Sequence, residues 1–284
     1  MTIDWKAVKE HVLGHRYVYG LLLLTSLLNF PVWYELVRDW AFDDNYSHGF
    51  LVVPIAIYIL CRRRTELKWP AKASRLGLAL VLIGSAGLIL GIAASEFFVT
   101  RTSLILQITG IALAYLGKEN FRKVWFAFFF LLFMVPLPAV IYYQATLPMQ
   151  LLSSQATTFL LQVIGVPAVR QGNIINLPGY SLEVIEACSG LRSLVTLLAL
   201  GSLYSWHYMT SNWRAVALTL AMIPIAMAAN VFRIFVTAVG AYAISPELAE
   251  TFLHEVSGLL VFLSAMVMLL ILGAVFKWTE KRFS

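Results

Sequence analysis

Long apolar runs separated by short clusters of charge dominate this chain. They cover Tyr17 to Val37, Ser47 to Cys61, Leu76 to Ala94, Thr102 to Leu116, Val124 to about Gln144, Ser189 to Met209, Ala215 to Ile244 and Val256 to Phe276. About 20 apolar residues in a helix cross the hydrocarbon core of a bilayer, so the pattern predicts an all-α integral membrane protein with about eight transmembrane helices. Met149 to Val166 breaks the pattern. Its Gln150, Ser153, Ser154, Gln155, Thr157, Thr158 and Gln162 are too polar for a lipid-facing helix, which predicts an interfacial or re-entrant amphipathic helix. In the segment Asn173 to Ile185, Pro178-Gly179 suits the middle of a type II turn and predicts a short β-hairpin.

Composition excludes a large soluble domain. Apolar residues make up 60% and charged residues 13% of the 284, whereas a soluble domain carries roughly 25% charge. The net charge of +6 is no nucleic-acid footprint, because its distribution follows membrane topology. With both termini cytoplasmic, Lys6, Lys9, Arg16, the cluster from Arg62 to Arg75, Lys118, Arg122, Lys123, Arg214, Lys277, Lys281 and Arg282 all fall inside, against Arg38, Arg101 and Arg170 outside. Making Met149 to Val166 a full span would invert the later segments and weaken this bias. The first apolar run lacks a small-residue cleavage site. No linker or repeat divides the chain, so one integral domain over residues 1–284 is expected.

Under this orientation the outer side collects Asp39, Asp43, Asp44, Glu96, Glu183, Glu186, Glu247, Glu250 and Glu255, with His48 and His254 near run ends. Cys61 and Cys188 fall on opposite sides of the bilayer and cannot form a disulfide. Cys188 opens a helix, where the backbone dipole and unsatisfied N–H groups favour a thiolate; a small buried core thiol is the competing reading. Arg192 shares a helix face with Cys188 or pairs with Glu186 or Glu183. Asn230 and Arg233 stand at i, i+3 in an otherwise apolar run, where an arginine requires protein or water around it. His254 and His48 are rival proton carriers, and the few histidines have no zinc-ligand spacing.

Six strings in order, Tyr46-Ser47-His48-Gly49-Phe50-Leu51, Val135-Pro136-Leu137-Pro138, Asn173 to Tyr180, Glu186-Ala187-Cys188-Ser189-Gly190-Leu191-Arg192-Ser193, Asn230-Val231-Phe232-Arg233 and His254-Glu255-Val256-Ser257-Gly258, resemble the exosortases over roughly Asn29 to Phe276. The resemblance implies a bacterial inner-membrane cysteine protease or transpeptidase with its active site facing the periplasm. Its substrates would be secreted proteins ending in a PEP-CTERM type signal: a short motif, a transmembrane helix and a basic tail. Cys188, Arg233 and His254 map to the catalytic constellation, with Arg192, Asn230, Glu186, His48, Ser189 and Tyr46 in supporting or substrate-binding positions. A histidine at 254 resembles the bacterial branch. The soluble C-terminal domain that some members connect to exopolysaccharide systems is not found before Ser284. The expected partners are substrate, membrane lipid and an unknown acceptor nucleophile, without cofactor, metal or nucleic acid. Two rivals stand beside this reading: an intramembrane serine protease using Ser189, and a non-enzymatic transporter or polysaccharide-export component with Arg233 and Arg192 lining an anion path.

Overall fold

The computed structural model describes residues 16–69, 71–184 and 191–283. The described residues are helical apart from one small sheet and the connecting loops, and the chain divides into two units, Met1–Pro138 and Ala139–Ser284.

In the first unit α1 (Arg16–Leu28) and α2 (Phe30–Phe42) replace the single span expected from Tyr17 to Val37, and they bend by 67° at Asn29. Pro31 removes an N–H from the helix ladder and disfavours helical geometry just before it. Asn29 fills the break: its Nδ2 donates to the Thr25 carbonyl at 2.8 Å and to Gln107 Oε1 at 2.9 Å. A 3₁₀ turn, Asp44–Tyr46, precedes α3 (Gly49–Arg63). α4 (Arg75–Ala93) follows, and then α5 (Phe97–Phe130), which continues as a 3₁₀ turn to Met134.

α4 is apolar on every side, and what it buries is a stripe of glycines seven residues apart, Gly77, Gly84 and Gly91. A β-carbon at Gly77 would lie 2.6 Å from Ala114 Cα, so the glycines bring the α4 and α5 backbones together, as small residues do between membrane helices. Leu78, Leu82, Ile83, Ile89 and Leu90 are left exposed, as suits side chains solvated by lipid. α5 changes direction at Gly117, whose φ of 70° and ψ of 168° belong to a region that essentially only glycine adopts. Near the start of α5, Arg101 is buried and pairs with Asp39 of α2 at 2.5 Å, with Glu35 at 3.9 Å. This end of α4 and α5 therefore gathers acidic groups, while Lys68, Lys72, Arg75 and Lys118 collect at the other.

The second unit runs α6 (Ala139–Val163), β1 (Val169–Gln171), β2 (Ile174–Leu177), β3 (Tyr180–Glu183), α7 (Leu191–Tyr208), α8 (Asn212–Ala243) and α9 (Pro246–Phe283). The strands form an antiparallel sheet in the order β1-β2-β3. The expected hairpin is thus present as β2 and β3, with Gly179 at φ 78° after Pro178 as a type II turn requires, and β1 is added to it. One core joins α7, α8 and α9 through Leu197, Met222, Ala226 and Ala265; another joins the sheet to α6 and α8.

Four helices among the described residues are long and apolar enough to cross a membrane, in α4, α5, α8 and Val261–Thr279 of α9, or five if the bent pair counts as one span. Among the described residues the other runs expected to span fall short of this length and apolarity for identifiable reasons. The run from Ser47 to Cys61 gives only the 15 residues of α3, about 22 Å at 1.5 Å per residue. The run from Val124 to Gln144 is cut at Val135-Pro136-Leu137-Pro138, and its first part joins Thr102 to Leu116 in one kinked helix. α7, with 18 residues, is too polar to qualify.

Candidate active site

The polarity of the run after Met149 has a packing explanation. Thr146, Met149, Gln150, Ser153, Ser154, Thr157, Thr158 and Leu161 of α6 are buried, and their spacing of three or four residues makes them one stripe. Leu147, Leu151, Leu152, Phe159, Leu160 and Val163 form the exposed face. An interfacial helix turns its polar face to water; α6 turns most of its hydroxyls and amides into protein and its large apolar side chains outward.

This stripe meets α8 at Asn230. Asn230 is buried, and its Nδ2 donates to Ser153 Oγ at 3.2 Å. One turn along, Thr157 Oγ1 donates to the Val231 carbonyl at 3.5 Å. Toward the sheet, Ser154 Oγ donates to the Gly172 carbonyl at 3.1 Å and Gln162 Nε2 to the Ala168 carbonyl at 2.9 Å. Each interhelical bond of this kind contributes about 0.6 kcal/mol in a membrane protein, but together they fix the rotation of α8 about its axis. Arg233, one turn beyond Asn230 on the same face, is partly buried.

The sheet packs against α8 at Arg233's level. Leu161, Val166, Ile175, Leu177 and Val184 share a buried cluster with Ile234 and Ala238 of α8. Val184 is the last residue of this layer, and Asn173 holds both its backbone groups. The Val184 N–H donates to the Asn173 carbonyl at 3.0 Å, and Asn173 Nδ2 donates to the Val184 carbonyl at 3.1 Å. Asn173 stood in the sequence only as the start of a hairpin; its partner eleven residues on is set by the register Ile174 to Glu183.

Removing the Asn173 donor should cost about 1 kcal/mol of stability. Asn173→Asp keeps the shape without the N–H donors, so it should behave like Asn173→Ala. Thermal unfolding of both variants checks this, and native stability in both would show that the Asn173 side chain does not secure Val184.

Of the residues singled out in the sequence, Cys188, Glu186 and Ser189 lie outside the described residues. Arg192 is on the first turn of α7 and His254 on α9, but their side chains also lie outside the description. Asn230 and Arg233 are together on α8, as their spacing required. His48 and Tyr46 belong to the first unit. Tyr46 ends the 3₁₀ turn before α3, and His48 Nε2 lies 3.0 Å from the Phe133 carbonyl, so that nitrogen acts as a donor. Trp40 Nε1 donates to the next carbonyl, Met134 O, at 2.9 Å. Two of the six strings, the one around His48 and the one at Val135 to Pro138, thus meet where α5 ends, and His48 ties that end down.

Helices with apolar outer faces and a buried polar stripe, beside a sheet on an arginine-bearing helix, define a multi-pass membrane protein built around polar chemistry. The chain belongs to the transmembrane exosortases: the family model described as Transmembrane exosortase (Exosortase_EpsH) matches residues 40–271. No curated protein and no solved structure matches the chain. Membership supports a membrane-embedded sorting transpeptidase or protease.

Proposed function

We propose that the chain cleaves the C-terminal sorting signal of secreted proteins at the outer face of the bacterial inner membrane, with Cys188 as nucleophile. The observation that carries this reading is the packing of Val184 in one cluster with Ile234, the neighbour of Arg233. Cys188 follows Val184 by four residues, which span at most about 14 Å of extended chain. The family match, whose span from residue 40 to 271 contains Cys188, Arg233 and His254, supports a membrane-embedded sorting transpeptidase or protease in general.

The Cys188 thiolate attacks the scissile carbonyl and forms a carbon–sulfur bond. Arg233 stabilises the thiolate or the oxyanion of the tetrahedral intermediate. The carbon–nitrogen bond then breaks, and His254 delivers its proton to the departing amine. This leaves a thioester on Cys188 and a free amine on the released tail. An acceptor nucleophile attacks the thioester while His254 takes its proton, and the carbon–sulfur bond breaks to restore the Cys188 thiolate beside protonated His254; an amine acceptor gives transpeptidation and water gives proteolysis. The substrate's own transmembrane helix holds its motif at the membrane surface while its basic tail remains on the cytoplasmic side.

The test is the new C-terminus of a secreted protein carrying a Pro-Glu-Pro-like motif, an apolar helix and an Arg-rich tail. Mass spectrometry should find it truncated at one bond beside the motif in cells with the native chain, and full length in cells with Cys188→Ala. Identical truncation in both would overturn the proposal.

A further inference from the structure

A basic cavity of about 560 Å³ lies in the first unit, at the N-terminal end of α4. Lys68, Lys72, Arg75 and Lys118 line it against one carboxylate, Glu119. Among the described residues none of the four cations forms an ion pair. The first turn of α4 adds unsatisfied N–H groups and the positive end of the helix dipole. Ser74, the N-cap residue, also lines the cavity. It is 8% exposed, its side chain makes no capping bond, and its Oγ is buried without a hydrogen-bond partner. A buried hydroxyl left unpaired costs free energy, which a rotation of the Ser74 side chain toward an acceptor in the cavity would recover.

The walls are held in place by backbone contacts. Asn120 clamps Lys68 twice, Oδ1 accepting from its N–H at 2.9 Å and Nδ2 donating to its carbonyl at 2.8 Å. The Ser74 N–H donates to the Ala114 carbonyl at 3.2 Å. The Lys72 carbonyl lies where a β-carbon of Gly117 would be, so the kink of α5 admits the Lys72 segment. Cationic side chains, a helix N-terminus and an orphan hydroxyl on a fixed frame suit a phosphate-bearing anion.

The surroundings identify its source. Leu76 and Leu78 begin the exposed apolar face of α4, which continues along a helix of membrane-spanning length. Leu116 lines both this cavity and a neighbouring, mostly apolar one of about 660 Å³ that includes Leu22, Ile108 and Phe128. Acyl chains therefore have apolar surface beside the basic site, which a soluble phosphate would not use. We propose that this cavity binds the phosphate of an anionic phospholipid, with the acyl chains along α4. Basic pockets between membrane helices recognise such headgroups.

Native mass spectrometry of the full-length protein, released from micelles containing phosphatidylglycerol or phosphatidylcholine, tests the proposal. The native chain should retain phosphatidylglycerol about tenfold more than phosphatidylcholine. The triple variant Lys72→Gln, Arg75→Gln, Lys118→Gln should lose that preference, with circular dichroism confirming its helicity. Lys72→Gln alone, which changes one exposed side chain, should lower retention about threefold and serves if the triple variant misfolds. Neutralising Arg62 and Arg122, which do not line the cavity, should leave the preference intact. Equal retention by native and cavity variants, or equal loss in the Arg62 and Arg122 variant, would overturn the site. Displacement of the lipid by millimolar inorganic phosphate would overturn the lipid as its ligand.

Discussion

Cys188→Ala is expected to reduce substrate processing by three orders of magnitude or more, because loss of a catalytic nucleophile leaves only the assistance of binding and electrostatics. Ser189→Ala, one residue along, should leave processing within a few-fold of native. That pair separates a thiol from a hydroxyl mechanism: survival of processing without the Cys188 sulfur removes the first, and loss with Ser189→Ala alone favours the serine rival. The same sulfur can be located independently of activity. A membrane-impermeant maleimide should label Cys188 in intact spheroplasts and spare Cys61, which is exposed near the Arg62-Arg63 end of α3. The thiolate is the reacting form, so labelling of Cys188 should proceed faster than that of a model thiol at the same pH. The reverse pattern, Cys61 labelled and Cys188 silent, would invert the assigned orientation.

Arg233→Lys should lower kcat by about two to three orders of magnitude, the cost of losing one directed donor at a developing oxyanion, while leaving KM within a few-fold. Lysine retains the charge but has neither the planar fork nor its several donors. The substitution should also leave the protein folded, since Asn230 to Ser153 and Thr157 to the Val231 carbonyl hold α8 without the guanidinium and lysine keeps a cation for the contacts that Arg233 itself makes. Thermal unfolding of the purified variant checks this. A fall in folded yield that matches the fall in activity would make Arg233 structural, and normal kcat in Arg233→Lys would exclude a directional contact. Arg233→Lys and Cys188→Ala combined should cost no more than Cys188→Ala alone, because groups that act on one intermediate are non-additive.

Several features were readable from local sequence. Pro178-Gly179 set its turn because proline fixes φ and glycine accepts a positive one, and the structure has that turn with Gly179 at φ 78°. Asn230 and Arg233 share a face of α8 because helix geometry alone puts i and i+3 together. The bend at Asn29 also had a signal, Pro31, yet hydropathy alone joined the two halves into one span. The α6 stripe was visible as polar residues at three- and four-residue intervals, Gln150, Ser153, Ser154, Thr157 and Thr158, but the periodicity does not say which side faces protein. Asn173 had no signal, since its partner Val184 depends on strand register.

Hydropathy, charge distribution and the ordered short strings determined by themselves that this is a multi-pass membrane protein of the exosortase kind, with its candidate chemistry on Cys188, Arg233 and His254. These properties reside in the residues and their spacing. Only the tertiary structure decided that the polar stripe of α6 turns inward to Asn230, that the sheet lies beside Arg233, and that Asn173 secures the strand leading to Cys188. The reason is that a helix or strand carries its pattern but not its partner: which face is buried depends on groups brought together from distant parts of the chain, where an amide or hydroxyl in an apolar medium must find its hydrogen bond.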